Sequence, residues 1–206
     1  MNEPNKPQVM SYVGFKVVLR PVNAETDLEN CHRWINDESV NRFLANVSPI
    51  TILQEREYLE NAGKNGRDVV YAVEDKATGA HIGQVGLHNI HWPDRLATAG
   101  AVIGEKSHWK KGFGTDAIKL LMNHAFYRLN LRLIHATVIS FNERSAGCLR
   151  KCGWKEEGIR KSVHYREGKY WDQLLFRIDR SDFEPIWNDY LTQLAASRNP
   201  YGCTGP

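Results

Sequence analysis

Nowhere in the 206 residues is there an apolar run near the roughly 20 residues that cross a bilayer, which argues against a membrane-spanning helix. Met1 to Gln8 is polar, holds two prolines and lacks the apolar centre of a signal peptide, so a soluble, cytoplasmic protein is expected. Cysteine is scarce: Cys31, Cys148, Cys152 and Cys203 form no CxxC pair and no dense disulfide pattern, so free thiols are expected. Cys148 and Cys152 lie four apart without histidines at ligand spacing, and no metal is expected. An excess of one charge is also missing. The 27 basic and 24 acidic residues give a net charge of +3 and are interspersed, unlike the basic face of a nucleic-acid binder. Neither repeats nor low-complexity tracts are present.

What remains is a chain long enough for one domain with a substantial core. Phe15 to Arg20, closed by Pro21, reads as a first strand. Helical spacing follows in Glu25 to Ile35 and in Thr51 to Asn61. Val69 to Glu74 and His81 to Leu87 read as strands joined by a polar loop ending in Gly79, and His88 to Ala97 as a loop. Thr98 to Gly104 reads as a strand, Thr115 to Leu129 as an amphipathic helix and Leu133 to Ser140 as a further strand. A short helix over Glu143 to Cys152 has Asn142 as its N-cap and Gly153 just past its end. Ile159 to Tyr165 and Tyr170 to Ile178 form a hairpin, and a C-terminal helix over Ser181 to Ala196 is capped by Ser181. The last ten residues and the extreme N-terminus read as disordered.

The most informative stretch is the strand ending in Gly104, the turn His108-Trp109-Lys110-Lys111-Gly112-Phe113-Gly114, and the helix that opens at Thr115. The first N–H groups of a helix have no intrahelical partner and sit at the positive end of its dipole. Glycines let an anion approach them, and phosphate is the natural ligand. Lys110 and Lys111 add positive charge to the same turn. The turn is neither a GxxxxGK[ST] loop nor a GxGxxG fingerprint, since no third glycine and no Lys-Ser/Thr pair follow.

The turn does resemble the pyrophosphate-binding turn of GNAT acetyltransferases, Gln/Arg-x-x-Gly-x-Gly/Ala at the start of a long helix. Asn142-Glu143-Arg144-Ser145 followed by Lys151-Cys152-Gly153-Trp154 resembles that family's Asn-x-x-Ser/Ala helix ending in Gly-Phe. Trp109 stands at the Gln/Arg position, a departure similar to the ribosomal-protein-alanine branch. The resemblance covers about Phe15 to Ile178 and implies an α+β GNAT fold, a mostly antiparallel twisted sheet flanked by helices. The sheet would be splayed between the Thr98 and Leu133 strands, where the cofactor would wedge. The implied organisation is an N-terminal extension over 1–14, a GNAT domain over 15–180, and a C-terminal helix and flexible tail over 181–206.

The resemblance implies acetyl-coenzyme A as co-substrate and a primary amine as acceptor, on a small molecule or a protein N-terminus; it also admits a homodimer. Cofactor contacts are implied at Val102, Ile103, Gly104, Trp109, Lys110, Lys111, Gly112, Phe113, Gly114, Thr115 and Asn142. Asn142 and Ser145 are the implied catalytic residues, Asn142 near the thioester and Ser145 assisting the leaving thiolate. Two family groups are missing, since Leu149 fills the slot of the tyrosine acid and Thr98 that of the glutamate base. Glu105, Asp172, His88, His91 and His164 are the remaining candidate bases, and His88 to Trp92 with Trp171 are candidate walls of an acceptor cleft. The missing acid and base keep a second reading open, a non-catalytic acyl-CoA binding module.

Overall fold

The computed structural model describes residues 11–198. In chain order its strands are β1 (Tyr12–Val13), β2 (Val17–Pro21), β3 (Val69–Asp75), β4 (His81–His91), β5 (Leu96–Ile103), β6 (Leu133–Ile139), β7 (Lys155–Arg166) and β8 (Lys169–Asp179). The helices are α1 (Ala24–Asn36), α2 (Glu38–Asn41), α3 (Ile52–Asn61), α4 (Phe113–Asn123), α5 (Glu143–Lys151) and α6 (Arg180–Arg198). All eight strands join one sheet in the order β1-β2-β3-β4-β5-β6-β8-β7, antiparallel everywhere except between β5 and β6. This is the expected mixed fold.

Side chains of β5 alternate between the two faces of the sheet, as the pleat requires. Ala97 and Ala99 join the larger core with Ile118, Leu121 and Phe126 of the α4 segment, and with Phe183 and Tyr190 of α6. Val102 turns the other way and packs with Leu28, Cys31 and Trp34 of α1 and Leu59 of α3. Thr51 caps α3 through a capping box with Gln54. The polar residue Asp116 of α4 is buried because it receives the backbone N–H groups of Lys16 and Val17 at 2.7 and 3.0 Å and the Tyr190 hydroxyl at 2.7 Å. That carboxylate ties the start of α4 to β2 and α6.

Several boundaries differ from the sequence reading for identifiable reasons. His88 to Ala97 is not one loop: β4 runs on to His91 and β5 begins at Leu96. Asn89 sits at φ 52° where the register between β4 and β5 shifts, so the turn-forming residues there mark a bulge. β7 starts at Lys155, earlier than Ile159, because as an edge strand it carries exposed Lys155, Glu156 and Glu157 that break any apolar pattern. The helix after the glycine turn opens at Phe113 and continues past Asn123 as a π-helical turn over His124–Arg128, with Leu129 N–H reaching the His124 carbonyl at 3.0 Å. The last helix is capped by Asp179 and not Ser181: the Asp179 carboxylate accepts from the Asp182 N–H and the Ser181 hydroxyl. Strand β1 and the single-turn α2 were not anticipated, and both are too short to show a period. Cys203 and the expected tail lie outside the described residues, apart from Ser197 and Arg198, which belong to α6; so does the extreme N-terminus.

Candidate active site

The parallel pairing of β5 and β6 is brief. It joins Leu96 to Leu133, Ala97 to Ile134 and Thr98 to His135, then stops, although β5 continues to Ile103 and β6 to Ile139. Beyond Thr98 the backbone of β5 keeps β4 on one side and has no strand partner on the other. Such a strand offers its free N–H and C=O groups to whatever fills the gap. A cleft of about 700 Å³ opens there, walled by Ala99 to Ile103 on one side and by Ala136 to Val138 and the first turns of α5 on the other.

The glycine turn closes one end of this cleft. Gly112 is the N-cap of α4 at φ 88° and supplies no side-chain cap, so the leading N–H groups of the helix have no intrahelical acceptor. Gly112, Phe113, Gly114 and Thr115 all line the cleft, together with Lys110. A Cβ on Gly114 would stand 3.6 Å from Ile103 Cγ1 and 3.8 Å from Cys148 Sγ, so this glycine keeps room in the cleft and not in a packed core. Coenzyme A fits these features: uncapped N–H groups and a lysine for phosphates, a long gap for a pantetheine arm, and open strand edge beside it.

Val102, Ile103 and Trp109 also line the cleft. The Trp109 indole N–H donates to the Ile103 carbonyl at 2.6 Å, which takes that acceptor out of the free edge. Gly104 and Lys111 are not among the lining residues. The Gly104 N–H donates to the Ile82 carbonyl at 2.9 Å, and a Cβ there would stand 2.1 Å from the Trp34 indole, so this glycine allows α1 to pack on β5. Lys111 is exposed beside the turn.

Asn142 and Ser145 stand together on the opposite wall. The Asn142 side-chain oxygen accepts the Ser145 N–H at 3.2 Å, which makes Asn142 the N-cap of α5. Its carboxamide N–H groups and the Ser145 hydroxyl have no hydrogen-bond partner among the described residues, and both residues line the cleft. Leu149, in the slot of the missing acid, is buried and apolar.

The candidate bases are dispersed. Glu105 pairs with Arg33 at 3.0 Å, and Asp172 with Lys161 at 2.9 Å and the Ser162 N–H at 2.9 Å. His91 lies 3.0 Å from Asp94, and His164 Nε2 lies 3.0 Å from the Gln173 amide. His88 lies 3.5 Å from Asp68 beside a second cavity of about 340 Å³ under α3, apart from the cleft. Trp92 donates to the Gly66 carbonyl at 2.8 Å, away from the cleft, while Trp171 packs on Phe141.

Among the lining residues that sequence reasoning did not assign to the site are Phe43, His108, Arg144 and Cys148. His108 bonds Asp75 at 3.1 Å and packs edge-on against Phe113. The Cys148 thiol is held below the ordinary thiol range by hydrogen bonding from Cys152 and then from Thr115, against the opposing effect of burial. The Arg144 guanidinium lies 3.7 Å from the Trp109 ring centre and 4.8 Å from that of Phe43, and burial lowers its pKa. Its place inside Asn142-x-x-Ser145 was the one available signal.

With this geometry in view, the acetyltransferase (GNAT) domain family matches residues 16–155. The chain belongs to the GNAT superfamily. It is 26% identical over 172 residues to the uncharacterized N-acetyltransferase p20 of Bacillus licheniformis, covering 82% of this chain and 95% of that protein. It is 28% identical over 154 residues to spermidine N(1)-acetyltransferase of Escherichia coli K12, covering 75% and 81% respectively. The fold is shared with spermidine N-acetyltransferase of Vibrio cholerae, solved with CoA and spermine, at TM-score 0.75 and 24% identity over 82% of this chain and 98% of that one. The family match establishes the superfamily, and the likenesses do not single out the ribosomal-protein-alanine branch. Among the described residues no helix is long and apolar enough to cross a membrane.

Proposed function

We propose that this GNAT protein transfers the acetyl group of acetyl-coenzyme A to the primary amine of a small molecule. The observation that carries the reading is the gap between β5 and β6 beyond Thr98, which opens directly onto the uncapped N-terminus of α4. Lys110 and the N–H groups of Phe113 to Thr115 hold the phosphates. Acetyl-coenzyme A would supply the thioester, and coenzyme A would leave as the thiol. In the Val102 to Ile103 region of β5, the outward N–H of Ile103 would stabilise negative charge developing on the acyl oxygen. Asn142 orients the thioester end, and the Ser145 hydroxyl donates toward the departing sulfur. The relatives named for spermidine favour a small amine over a protein N-terminus.

A second reading, a non-catalytic acyl-CoA binding module, is favoured by the buried Leu149 at the acid position. Calorimetry with coenzyme A followed by acetyl-CoA turnover against a panel of amines separates the two. Failure to bind coenzyme A defeats both. Binding without acetylation of any amine leaves the binding module. Asn142→Ala should lower kcat more than coenzyme A affinity, beyond the stability cost of about 0.5–2 kcal/mol for a lost N-cap.

A further inference from the structure

The cleft carries positive charge beyond the lysines of the α4 turn. Phe43 and Trp109 line the cleft, and Phe43 packs on Phe141, which packs on Trp171. The protein's own cations already cover these rings. Arg144 lies over Trp109 and Phe43, Arg42 over Phe43 and Phe141 at 5.4 and 5.6 Å, and Lys169 over Trp171 at 3.9 Å. Arg166 joins them by donating to the carbonyls of Leu44 and Ala45 at 2.9 and 3.3 Å.

Carboxylates nearby do not offset this charge at Arg144. Glu167 is bound to Arg42 at 2.5 Å and Asp172 to Lys161, while Glu143 turns toward Arg150 at 3.6 Å. Arg144 has neither a carboxylate nor a hydrogen-bond partner among the described residues, although it lines the cleft. A guanidinium in that position is a fork for an anion. An aliphatic polyamine would meet like charges there and would have to displace the guanidinium groups to reach the aromatic faces.

We propose that the acceptor carries a carboxylate as well as its primary amine, and that Arg144 holds that carboxylate at the rim of the cleft. This rests on the acetyltransferase reading and narrows its substrate class away from polyamines. The shared chemistry, an anion on Arg144, could equally come from a phosphate of coenzyme A, and the test separates the two sources.

The full-length protein, with and without coenzyme A, is titrated by calorimetry with γ-aminobutyrate, butylamine and putrescine, which differ chiefly in a distal carboxylate, methyl or ammonium group. The same three serve as acceptors in acetyl-CoA assays. γ-Aminobutyrate should exceed putrescine by about tenfold or more in affinity and in kcat/KM, with butylamine between them. Arg144→Gln should erase that order while the KM for acetyl-CoA stays within about twofold, and Arg144→Lys should restore part of it. Arg42→Gln should reduce the preference less. Equal or better binding of putrescine, no binding of γ-aminobutyrate, or an unchanged order in folded Arg144→Gln would overturn the proposal. A variant that loses acetyl-CoA affinity but keeps the acceptor order would reassign Arg144 to a cofactor phosphate. Failure of the acetyltransferase reading looks different: coenzyme A does not bind, or the amines bind in the proposed order without turnover.

Discussion

Trp109 donates its indole N–H to the Ile103 carbonyl at 2.6 Å, joining the turn before α4 to the last residue of the free edge of β5. The bond ties the strand to the phosphate turn at one end of the cleft. Trp109→Phe keeps a ring under Arg144 but strands the carbonyl. A lost hydrogen bond of about 1 kcal/mol should weaken coenzyme A binding about fivefold, with only a small fall in Tm. Calorimetry and a thermal melt check this; unchanged affinity would show that the bond does not shape the cofactor site.

The two glycines of the turn should separate stability from binding. Gly112 stands at φ 88°, a left-handed conformation that costs an L-residue about 1–2 kcal/mol, although a Cβ there would meet nothing closer than Lys16 Cε at 3.6 Å. Gly112→Ala should therefore lower Tm by a few degrees. Gly114 has no such backbone demand, and a Cβ would make ordinary contacts with Ile103 and Cys148. Gly114→Leu, whose side chain reaches well beyond the methyl that the family's Gly/Ala position admits, should fold with a Tm close to wild type yet lose coenzyme A affinity, because it fills the cleft. Full affinity in folded Gly114→Leu would place the cofactor elsewhere.

That contrast shows how far the sequence could be read. The phosphate turn is local: two glycines, two lysines and a helix start are adjacent in the chain, and their meaning survives without tertiary information. The N-cap role of Asn142 is local for the same reason, and the structure bears it out. Gly104 shows the limit. As the third residue of a proposed pantetheine edge it looks equivalent to Ile103, but Trp34, 70 residues earlier, lies against it and accounts for the missing side chain. Arg144 has only its place inside Asn142-x-x-Ser145 to mark it in the sequence, because its setting is made by Phe43 and Trp109, from two distant turns. The loop read over His88 to Ala97 is only too wide: a turn does lie at Trp92-Pro93-Asp94, while Asn89 marks a bulge within β4, which uses the same residue types as a loop.

Acid should loosen the junction of β1, β3 and the π-helical turn. His124 is buried, with Nδ1 at 2.6 Å from the Tyr12 hydroxyl and Nε2 at 3.2 Å from the Tyr71 hydroxyl, and burial pushes its pKa down to about 4. An unfolded histidine titrates near 6.5. Between those values the unfolded chain binds the extra proton, so the stability due to neutral His124 is complete above about pH 6.5 and is lost as pH falls toward 4. His124→Gln retains a donor and an acceptor but does not titrate. The Tm difference between wild type and His124→Gln should thus shrink from pH 7 to pH 4, and a constant difference would rule out His124 as the titrating group.

Catalysis should not depend on a single carboxylate or histidine. Thr98 occupies the usual glutamate position where the sheet opens, and Glu105, Asp172, His88, His91 and His164 are each engaged by a neighbour outside the cleft lining. His88 comes nearest, its ring 3.5 Å from where a Cβ on Gly100 would stand, behind the cleft wall. An amine that arrives neutral needs approximation and oxyanion donors more than a base, and a dedicated base would add about 10²–10⁴-fold. Glu105→Gln, Asp172→Asn, His91→Ala and His164→Ala should therefore lose little, and His88→Ala only a graded amount. The measurement is a pH–rate profile of each variant on the best acceptor. A fall beyond about a thousandfold in one folded variant, with coenzyme A affinity intact and the acidic limb of the profile abolished, would identify that residue as the base and refute this expectation.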